Sequence, residues 1–269
     1  MKAEQSIGIF DSGVGGLTVA NAVKSVLPNE SIVYFGDTAH LPYGDKSAEN
    51  IRFYSEQIAE FLLEQNCKII LIACNTASAL AYETVKERVG ERAHVFNVID
   101  PVVRFVKDAN HLRKIAIIGT KGTIQSNTYP QKIREEMPEA SVVSLATPLL
   151  VPMIEEGFIY DDISNAIIRS YLSQIDLSEP DALILACTHY PLIKNQIRKF
   201  YNFDVEVVDS GNAVANEIKS FLQENQLLNP NPQPKHRFLV SDYTPMFKKI
   251  AEMFFEHRIE LETRDIWKK

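Results

Sequence analysis

The sequence predicts an α/β fold made of two similar doubly wound halves, each built on a parallel sheet and related to the other by a pseudo-two-fold axis. Short apolar segments alternate with longer segments of helical periodicity, which is typical of strands that alternate with helices. The apolar segments are nearly continuous rather than half polar, as expected when helices cover a parallel sheet on both faces. The order of segments in the first half returns in the second, which predicts a functional cleft between the two.

The first half contains four predicted strands with three helices between them. Runs of β-branched apolar residues predict strands at residues 7–10, 31–35, 68–73 and 95–99, and amphipathic periodicity predicts helices at residues 16–27, 47–65 and 77–89. Each helix returns the chain to the edge where the next strand begins, which is the connection that a parallel sheet requires.

The second half repeats this order at a nearly constant spacing. Segments 114–118, 183–186 and 205–208 resemble the strands near residues 7, 70 and 97. Three landmark pairs are separated by 108, 113 and 109 residues, namely Ile7 and Ile115, Cys74 and Cys187, and Asp100 and Asp209.

The chain beyond Asp209 adds a helix at residues 212–222, a loop rich in Pro and Asn at 229–234, a strand at 238–240 and a helix at 244–255. We expect this part to close back on the first half. The predicted domains are therefore residues 1–98 plus 209–269, and residues 99–208.

Composition and charge exclude several classes of function. The chain has 28 basic and 35 acidic residues, a net charge of −7, so it lacks the basic surface of a nucleic-acid-binding protein. No secretory leader is visible and no apolar stretch approaches the ~18 residues that span a bilayer, so we expect a cytoplasmic protein without membrane contact. The three cysteines do not suit a disulfide framework or a metal site, so any special cysteine acts as a free thiol.

Two cysteines stand at matching strand ends, Cys74 in the segment ILIACNT and Cys187 in LILACTH. In parallel sheets, ligands bind outside the carboxyl ends of the strands, where the next helix also directs its N-terminal amides. Such a position favours thiolate formation. Polar residues follow both cysteines: Asn75, Thr76 and Thr188 can cap helices or donate hydrogen bonds to a carboxylate. Cys67 precedes its strand and has no counterpart in the second half, so we expect it to be a packing residue.

The glycine-rich turn FDSGVGGLT follows the first strand. Gly13 and Gly15 match two positions of a dinucleotide fingerprint, and Asp37 lies near the distance expected for a ribose contact. Against that interpretation, Thr18 stands at the third glycine position and Asp11 would place a carboxylate beside the phosphate. A turn whose amides approach another anionic group fits better. Asp11 itself either caps this turn or supports a catalytic base.

Two further segments lie at the same predicted edge. His189, two residues beyond Cys187, either assists that thiol or caps the turn. The turn LPYG follows the second strand, so Tyr43 and Gly44 either contact a ligand or only introduce the next helix. The remaining histidines show no partner pattern and are interpreted as surface or satisfied residues: His40, His94, His111, His236 and His257.

Two thiols on facing halves suit a two-base proton transfer. Inversion of a stereocentre needs one base to remove the α-proton from one face and one acid to protonate the other. A thiolate and a thiol can exchange these roles. Since an amino-acid α-proton is very weakly acidic, the site must also stabilise the developing carbanion with preorganised donors.

The segments FDSGVGGLT, LPYG, ACNTAS, GTKGTI, PLLVPMIEEG and LACTHYP resemble those of the glutamate racemases, cofactor-independent bacterial enzymes that supply D-glutamate for peptidoglycan. The segments run from residue 10 to about 191 and the chain length also fits, so the resemblance covers essentially the whole chain. The pair ACNT and ACTHYP around two cysteines is its most specific part.

The resemblance implies that Cys74 takes the α-proton of D-glutamate and Cys187 that of L-glutamate. Asp11 and His189 would assist the two thiols, with Glu155 as a third group, although the adjacent Glu156 could fill the same place. The resemblance also implies a homodimer that uses neither a metal nor another cofactor. The implied substrate contacts are Asp11, Ser12, Tyr43, Gly44, Asn75, Thr76, Thr188 and His189.

Three alternatives remain open on the sequence. An aspartate racemase of the same fold would use the same thiols, and only the motif match favours glutamate. A cysteine hydrolase could use Cys187 as nucleophile and His189 as base, which would leave Cys74 without a role. A nucleotide-binding module built on the turn Gly13–Gly16 would be indifferent to both cysteines.

Overall fold

The computed structural model describes residues 1–175, 179–255 and 258–268, without the side chain of Met246. His257 lies outside the described residues. Within these ranges no helix is both long and apolar enough to cross a membrane.

The first sheet takes four of its described strands from the start of the chain. In chain order the elements are β1 (Ser6–Asp11), α1 (Leu17–Val26), β2 (Ile32–Gly36), α2 (Ala48–Glu64), β3 (Cys67–Ile72), α3 (Asn75–Val89) and β4 (His94–Asn97). Two more strands from the end of the chain, β9 (Arg237–Val240) and β10 (Leu261–Thr263), complete the described order β10-β9-β2-β1-β3-β4, and every neighbouring pair is parallel.

The second sheet has the described order β6-β5-β7-β8, again entirely parallel. Its elements are α4 (Ile99–Asp108), β5 (Lys114–Gly119), α5 (Lys121–Gln125), α6 (Thr128–Glu136), β6 (Ser141–Ala146), α7 (Leu150–Glu155), α8 (Asp162–Leu172), β7 (Ala182–Ala186), α9 (Lys194–Phe200) and β8 (Glu206–Val208). Its order matches the run β2-β1-β3-β4 of the first sheet, which confirms the predicted two-sheet α/β architecture.

The chain then returns to the first sheet through α10 (Gly211–Glu224), β9 (Arg237–Val240), α11 (Pro245–Phe255) and β10 (Leu261–Thr263). β9 pairs with β2 and β10 pairs with β9, so this part extends the first sheet, as expected. Helices α10 and α11 pack against α1. The domain division at residues 98 and 209 stays a prediction, which these strand partners support.

The structure differs from the prediction at the end of the fourth strand and in two strands that were not predicted, β6 and β10. The fourth strand ends at Asn97 rather than at residue 99, because the Asn97 side chain accepts hydrogen bonds from the amides of Ile99 and Asp100 at 2.8 and 3.0 Å and starts α4 there. Asp100 is therefore a helical residue and not a strand end. β6 was not predicted because its residues are half-buried or exposed along an edge, so it lacks the continuous apolar run.

The core follows from the alternation of side chains along each strand. One apolar cluster runs across both halves, with Ile9 and Leu71 from the first sheet and Ile118 and Leu185 from the second. Two separate clusters cover the other face of each sheet. The shared cluster holds the carboxyl ends of both sheets at one place, where the candidate site lies.

Candidate active site

A cavity of about 290 Å³ lies where the carboxyl ends of the two sheets meet. Its walls come from loops that follow β1, β2 and β3 in one half and β5, β6 and β7 in the other. The cavity brings together most of the site residues predicted from sequence: Ser12, Tyr43, Gly44, Asn75, Thr76, Cys74, Glu155, Cys187, Thr188 and His189.

Cys74 lies on this wall directly before the first residue of α3, and its side chain is almost fully buried. Its Sγ donates to Ser12 Oγ at 3.8 Å. Burial, together with the nearby carboxylate of Asp11, raises the pKa of the Cys74 thiol to about 12. The expectation that this strand end favours a thiolate is therefore wrong for Cys74: its thiol is protonated at neutral pH and can act as an acid.

Cys187 directly follows β7 on the other sheet, and it lies at one end of a chain of polar contacts. Its Sγ lies 3.8 Å from Nδ1 of His189, whose Nε2 lies 3.0 Å from Oε1 of Glu155. Burial disfavours the imidazolium, but the bonds to Cys187 and Glu155 outweigh it and raise the pKa of His189 to about 10. His189 is therefore positively charged at neutral pH and can hold a thiolate at Cys187.

The structure distinguishes Glu155 from its neighbour. Glu155 ends α7, lines the cavity and pairs with His189, whereas Glu156 is exposed and lies outside the cavity wall. The sequence left both carboxylates open.

Asp11 is fully buried and is not part of the cavity wall. Its Oδ2 accepts hydrogen bonds from the amides of Gly13 at 3.3 Å and Gly16 at 2.9 Å. Burial raises the pKa of this carboxyl, against the charge of His189 and the turn amides. Asp11 thus caps the turn, and its charge also acts on Cys74 and His189. Direct contact of Asp11 with substrate stays a prediction.

These contacts also exclude the phosphate-loop interpretation of the glycine-rich turn. The amides of Gly13 and Gly16, which would have to bind a phosphate, already bind the Asp11 carboxylate. Asp37 is fully buried and accepts bonds from Tyr43, Ser241 and Trp267, so it does not face a ribose.

Asn75 and Thr76 begin α3 and place polar groups on the cavity wall. The Oδ1 of Asn75 accepts from Tyr129 at 2.8 Å, while its buried Nδ2 has no partner among the described residues. Thr76 Oγ1 lies 2.9 and 3.1 Å from the hydroxyls of Thr120 and Thr123. An unpaired amide donor and a hydroxyl group at a helix N-terminus suit a carboxylate ligand.

The loop after β2 approaches the second half closely. Tyr43 forms part of the wall, and its hydroxyl donates to Asp37 Oδ2 at 2.8 Å. A Cβ atom at Gly44 would lie 2.7 Å from Cβ of Thr120, so only glycine permits this approach. The two halves are also joined by a hydrogen bond that the carbonyl of Thr188 accepts from Thr18 Oγ1 at 3.1 Å.

Several cavity residues were missed in the sequence. Thr120 follows β5, so the strand-end argument that selected Cys74 would have found it, whereas Thr147 follows β6, which was not predicted. Thr147 Oγ1 lies 2.7 Å from the hydroxyl of buried Tyr190. Lys121, Val151 and Pro152 also line the cavity and carried no signal of their own.

Residues interpreted as structural have packing or surface positions in the structure. Cys67 is buried at the start of β3 beneath Gly8. His40 stacks on Tyr54, His94 stacks on Phe221, His111 is exposed beside Glu206, and His236 packs near Phe238. No group of three His, Cys, Asp or Glu side chains within the described ranges is arranged to hold a metal ion.

Comparison with known proteins agrees with this geometry. The model of the Asp/Glu/Hydantoin racemase family matches residues 17–218. The chain is 40% identical over 251 residues to a glutamate racemase of Geobacter metallireducens, covering 93% of this chain and 92% of the relative. It is 42% identical over 249 residues to a glutamate racemase of Syntrophus aciditrophicus, with 92% of each covered.

Among solved structures, the glutamate racemase of Francisella tularensis in complex with D-glutamate matches with a TM-score of 0.93 and 40% identity, covering 98% of this chain and 99% of that one. The family match, the extent of identity and the shared fold lead to one conclusion: this chain belongs to the Asp/Glu/Hydantoin racemase family.

Proposed function

We propose that this protein interconverts L-glutamate and D-glutamate by cofactor-independent two-base proton transfer between Cys74 and Cys187. The observation that carries the proposal is that two free thiols, one from each sheet, line a single cavity. The relatives named as glutamate racemases support glutamate as the substrate.

With L-glutamate bound, the Cys187 thiolate removes the α-proton, and the bond electrons pass into the substrate carboxylate. The Cys74 thiol then delivers its proton to the opposite face, which leaves a Cys74 thiolate and a Cys187 thiol. D-glutamate reacts by the reverse path. The two thiols need unequal protonation at the start, and the surroundings of Cys74 and His189 support that inequality.

The remaining wall residues bind and stabilise. Three groups donate hydrogen bonds to the substrate carboxylates: Nδ2 of Asn75 and the hydroxyls of Thr76 and Thr188. These hydrogen bonds strengthen as negative charge develops on the carboxylate. His189 keeps its charge beside Cys187 because Glu155 orients it. Asp11 disfavours a second thiolate at Cys74.

The contact chain Cys187, His189, Glu155 would by itself also suit a cysteine hydrolase. A hydrolase, however, has no use for a second buried thiol on the same cavity. We therefore favour racemisation, and the cellular role that follows is supply of D-glutamate for peptidoglycan from the cytoplasm. We also propose that the protein is a homodimer, as the resemblance to glutamate racemases implies. Light scattering on the purified protein tests the oligomeric state directly.

The experiment uses pure protein in deuterated water without added cofactor. L-glutamate, D-glutamate and L-aspartate are supplied separately, and proton NMR and circular dichroism are followed together. Exchange of the glutamate α-proton with loss of optical activity supports the proposal. Exchange with aspartate instead would reassign the substrate, and no exchange with any of the three would contradict racemisation.

A further inference from the structure

The loop that carries Tyr43 and Gly44 into the cavity is attached to a buried carboxylate, Asp37. This side chain is fully buried and accepts from Tyr43 at 2.8 Å, from Ser241 at 2.9 Å and from Trp267 Nε1 at 3.0 Å. His40 Nδ1 lies 2.9 Å from it. A buried carboxylate needs such donors, because an unpaired buried charge is strongly destabilising.

The donors from outside the loop come from the part of the first sheet that the second sheet lacks. β9 and β10 extend the first sheet beyond β2 with no described counterpart beyond β6. Because all these strands are parallel, their carboxyl ends reach the edge where β2 ends. Ser241 follows β9 at this edge, and Trp267 follows β10. Two segments distant in the chain thus converge on Asp37.

Further contacts tie this loop to the same segment. Thr38 Oγ1 donates to the carbonyl of Asp242 and accepts from its amide at 2.9 Å, and the amide of Ala39 donates to Ser241 Oγ at 2.9 Å. The loop therefore takes its position from residues after β9 as well as from β2.

The indole of Trp267 closes this arrangement with an aromatic cluster. Its ring centroid lies 4.6 Å from His40 and 5.4 Å from Tyr54, and His40 stacks on Tyr54 at 4.1 Å. Tyr54 in turn lies 5.8 Å from Tyr43. The indole therefore contacts the residues that support the cavity wall without itself lining the cavity.

We propose that Trp267 is a positioning residue for glutamate binding, acting through Asp37 on Tyr43 and the loop that holds Gly44. The inference rests on the proposed function for its substrate. Trp267 does not touch the reacting atoms, so its loss should weaken substrate binding more than the proton transfer between the thiols.

The first test is W267F, which keeps an aromatic ring and removes the Nε1 donor together with part of the indole. We expect KM for D- and L-glutamate to rise about five-fold while kcat changes less than about two-fold, as expected when binding rather than the transition state is affected. The control is K268A, an exposed neighbour whose replacement should leave both constants unchanged. A fall in kcat as large as the rise in KM in W267F, or an unchanged KM, would overturn the proposal.

A double-mutant cycle with Y43F tests the route through Asp37. Because Y43F removes the hydroxyl that joins the loop to Asp37, W267F should raise KM by a smaller factor in that background than in the wild type. If W267F raises KM by the same factor with and without Y43F, the route through Asp37 is contradicted. A contribution to overall stability alone would not produce this coupling.

Two further measurements do not depend on turnover. Trp267 is the single tryptophan of the chain, so wild-type fluorescence should change saturably on addition of glutamate. Without substrate, hydrogen exchange of the amides at 38–46 should be faster in W267F than in wild type and unchanged in K268A. If wild-type protein fails to racemise glutamate, the proposed function fails, and the exchange measurement alone still decides whether Trp267 holds the loop.

Discussion

The backbone of Gly15 lies against the imidazole ring of His189. A Cβ atom at Gly15 would lie 2.5 Å from both Cε1 and Nδ1 of that ring and 2.7 Å from Thr188 Oγ1. Gly15 belongs to the turn after β1 and His189 to the segment after β7, so the two halves of the molecule meet here. This close approach requires glycine at position 15. Because no side chain is present there, the His189 ring can occupy the position in which it contacts Cys187.

Replacement of Gly15 by alanine should therefore displace His189. We expect racemisation to slow at least about ten-fold, because small shifts of a catalytic group cost large factors in rate. The free energy of unfolding should fall by about 1–3 kcal/mol through overpacking. Steady-state kinetics and urea unfolding measure the two effects.

Gly90→Ala is the matched control for that change. Gly90 has a φ of +56° with no atom within 4 Å of an added Cβ, so the substitution costs stability through backbone strain alone. Its activity should remain normal. If G15A were as active as G90A, the contact between Gly15 and His189 would have no catalytic importance.

Serine at either Cys74 or Cys187 should abolish racemisation, with a loss of at least about 10³-fold, because each enantiomer needs both a base and an acid. The measurement is loss of optical activity for L- and D-glutamate, with NMR in deuterated water to detect exchange on one face. C67S is the matched control, since Cys67 is buried in β3 outside the cavity and should not affect turnover. Normal racemisation by C74S or C187S would contradict the two-thiol mechanism.

The pairing of His189 with Glu155 should appear in the pH dependence of stability. The pKa of His189 is raised to about 10 from its ordinary 6.5, so its contribution to stability is complete below pH 6.5 and is lost as the pH rises through 10. E155Q removes part of this shift. The difference in free energy of unfolding between wild type and E155Q should be largest below pH 6.5 and vanish above pH 10.

E156Q provides the control for this experiment, because Glu156 is exposed beside Glu155 and does not face His189. Its unfolding should follow that of wild type at every pH. A constant difference for E155Q across the whole range would show that the carboxylate does not act through the histidine charge.

Replacement of Asp11 by asparagine should separate stability from activity. Burial raises the pKa of Asp11, so its ionised form is penalised in the folded state at every pH above that value and relieved below it. D11N should therefore be at least as stable as wild type at neutral pH, and its advantage should disappear on acidification. Thermal unfolding as a function of pH measures this.

The same variant should change the pH profile of the reaction. Because the Asp11 carboxylate helps to raise the pKa of Cys74, D11N should lower that pKa. The high-pH limit of the rate with L-glutamate, which needs Cys74 as a thiol, should then move to lower pH. An unchanged profile would mean that Asp11 only caps its turn.

Much of this protein could be predicted from local sequence. The apolar runs that became β1, β3, β5 and β7 are continuous because helices cover both faces of each sheet. Cys74 and Cys187 were recognisable because each ends such a run, and parallel strands bring their ends to one edge. The repeat along the chain predicted the two sheets for the same reason.

The partners that site residues find far away in the chain were decided only by the tertiary structure. Glu155 could not be separated from Glu156 until α7 turned one of them toward His189. The hydroxyl of Tyr43 and the indole of Trp267 meet on Asp37 although 224 residues separate them in the chain. Periodicity and turn signals describe neighbours along the backbone, whereas these contacts depend on how two sheets and their helices pack. The sequence by itself determined the strands, their ends and the pair of thiols; packing alone decided which charges and donors surround them.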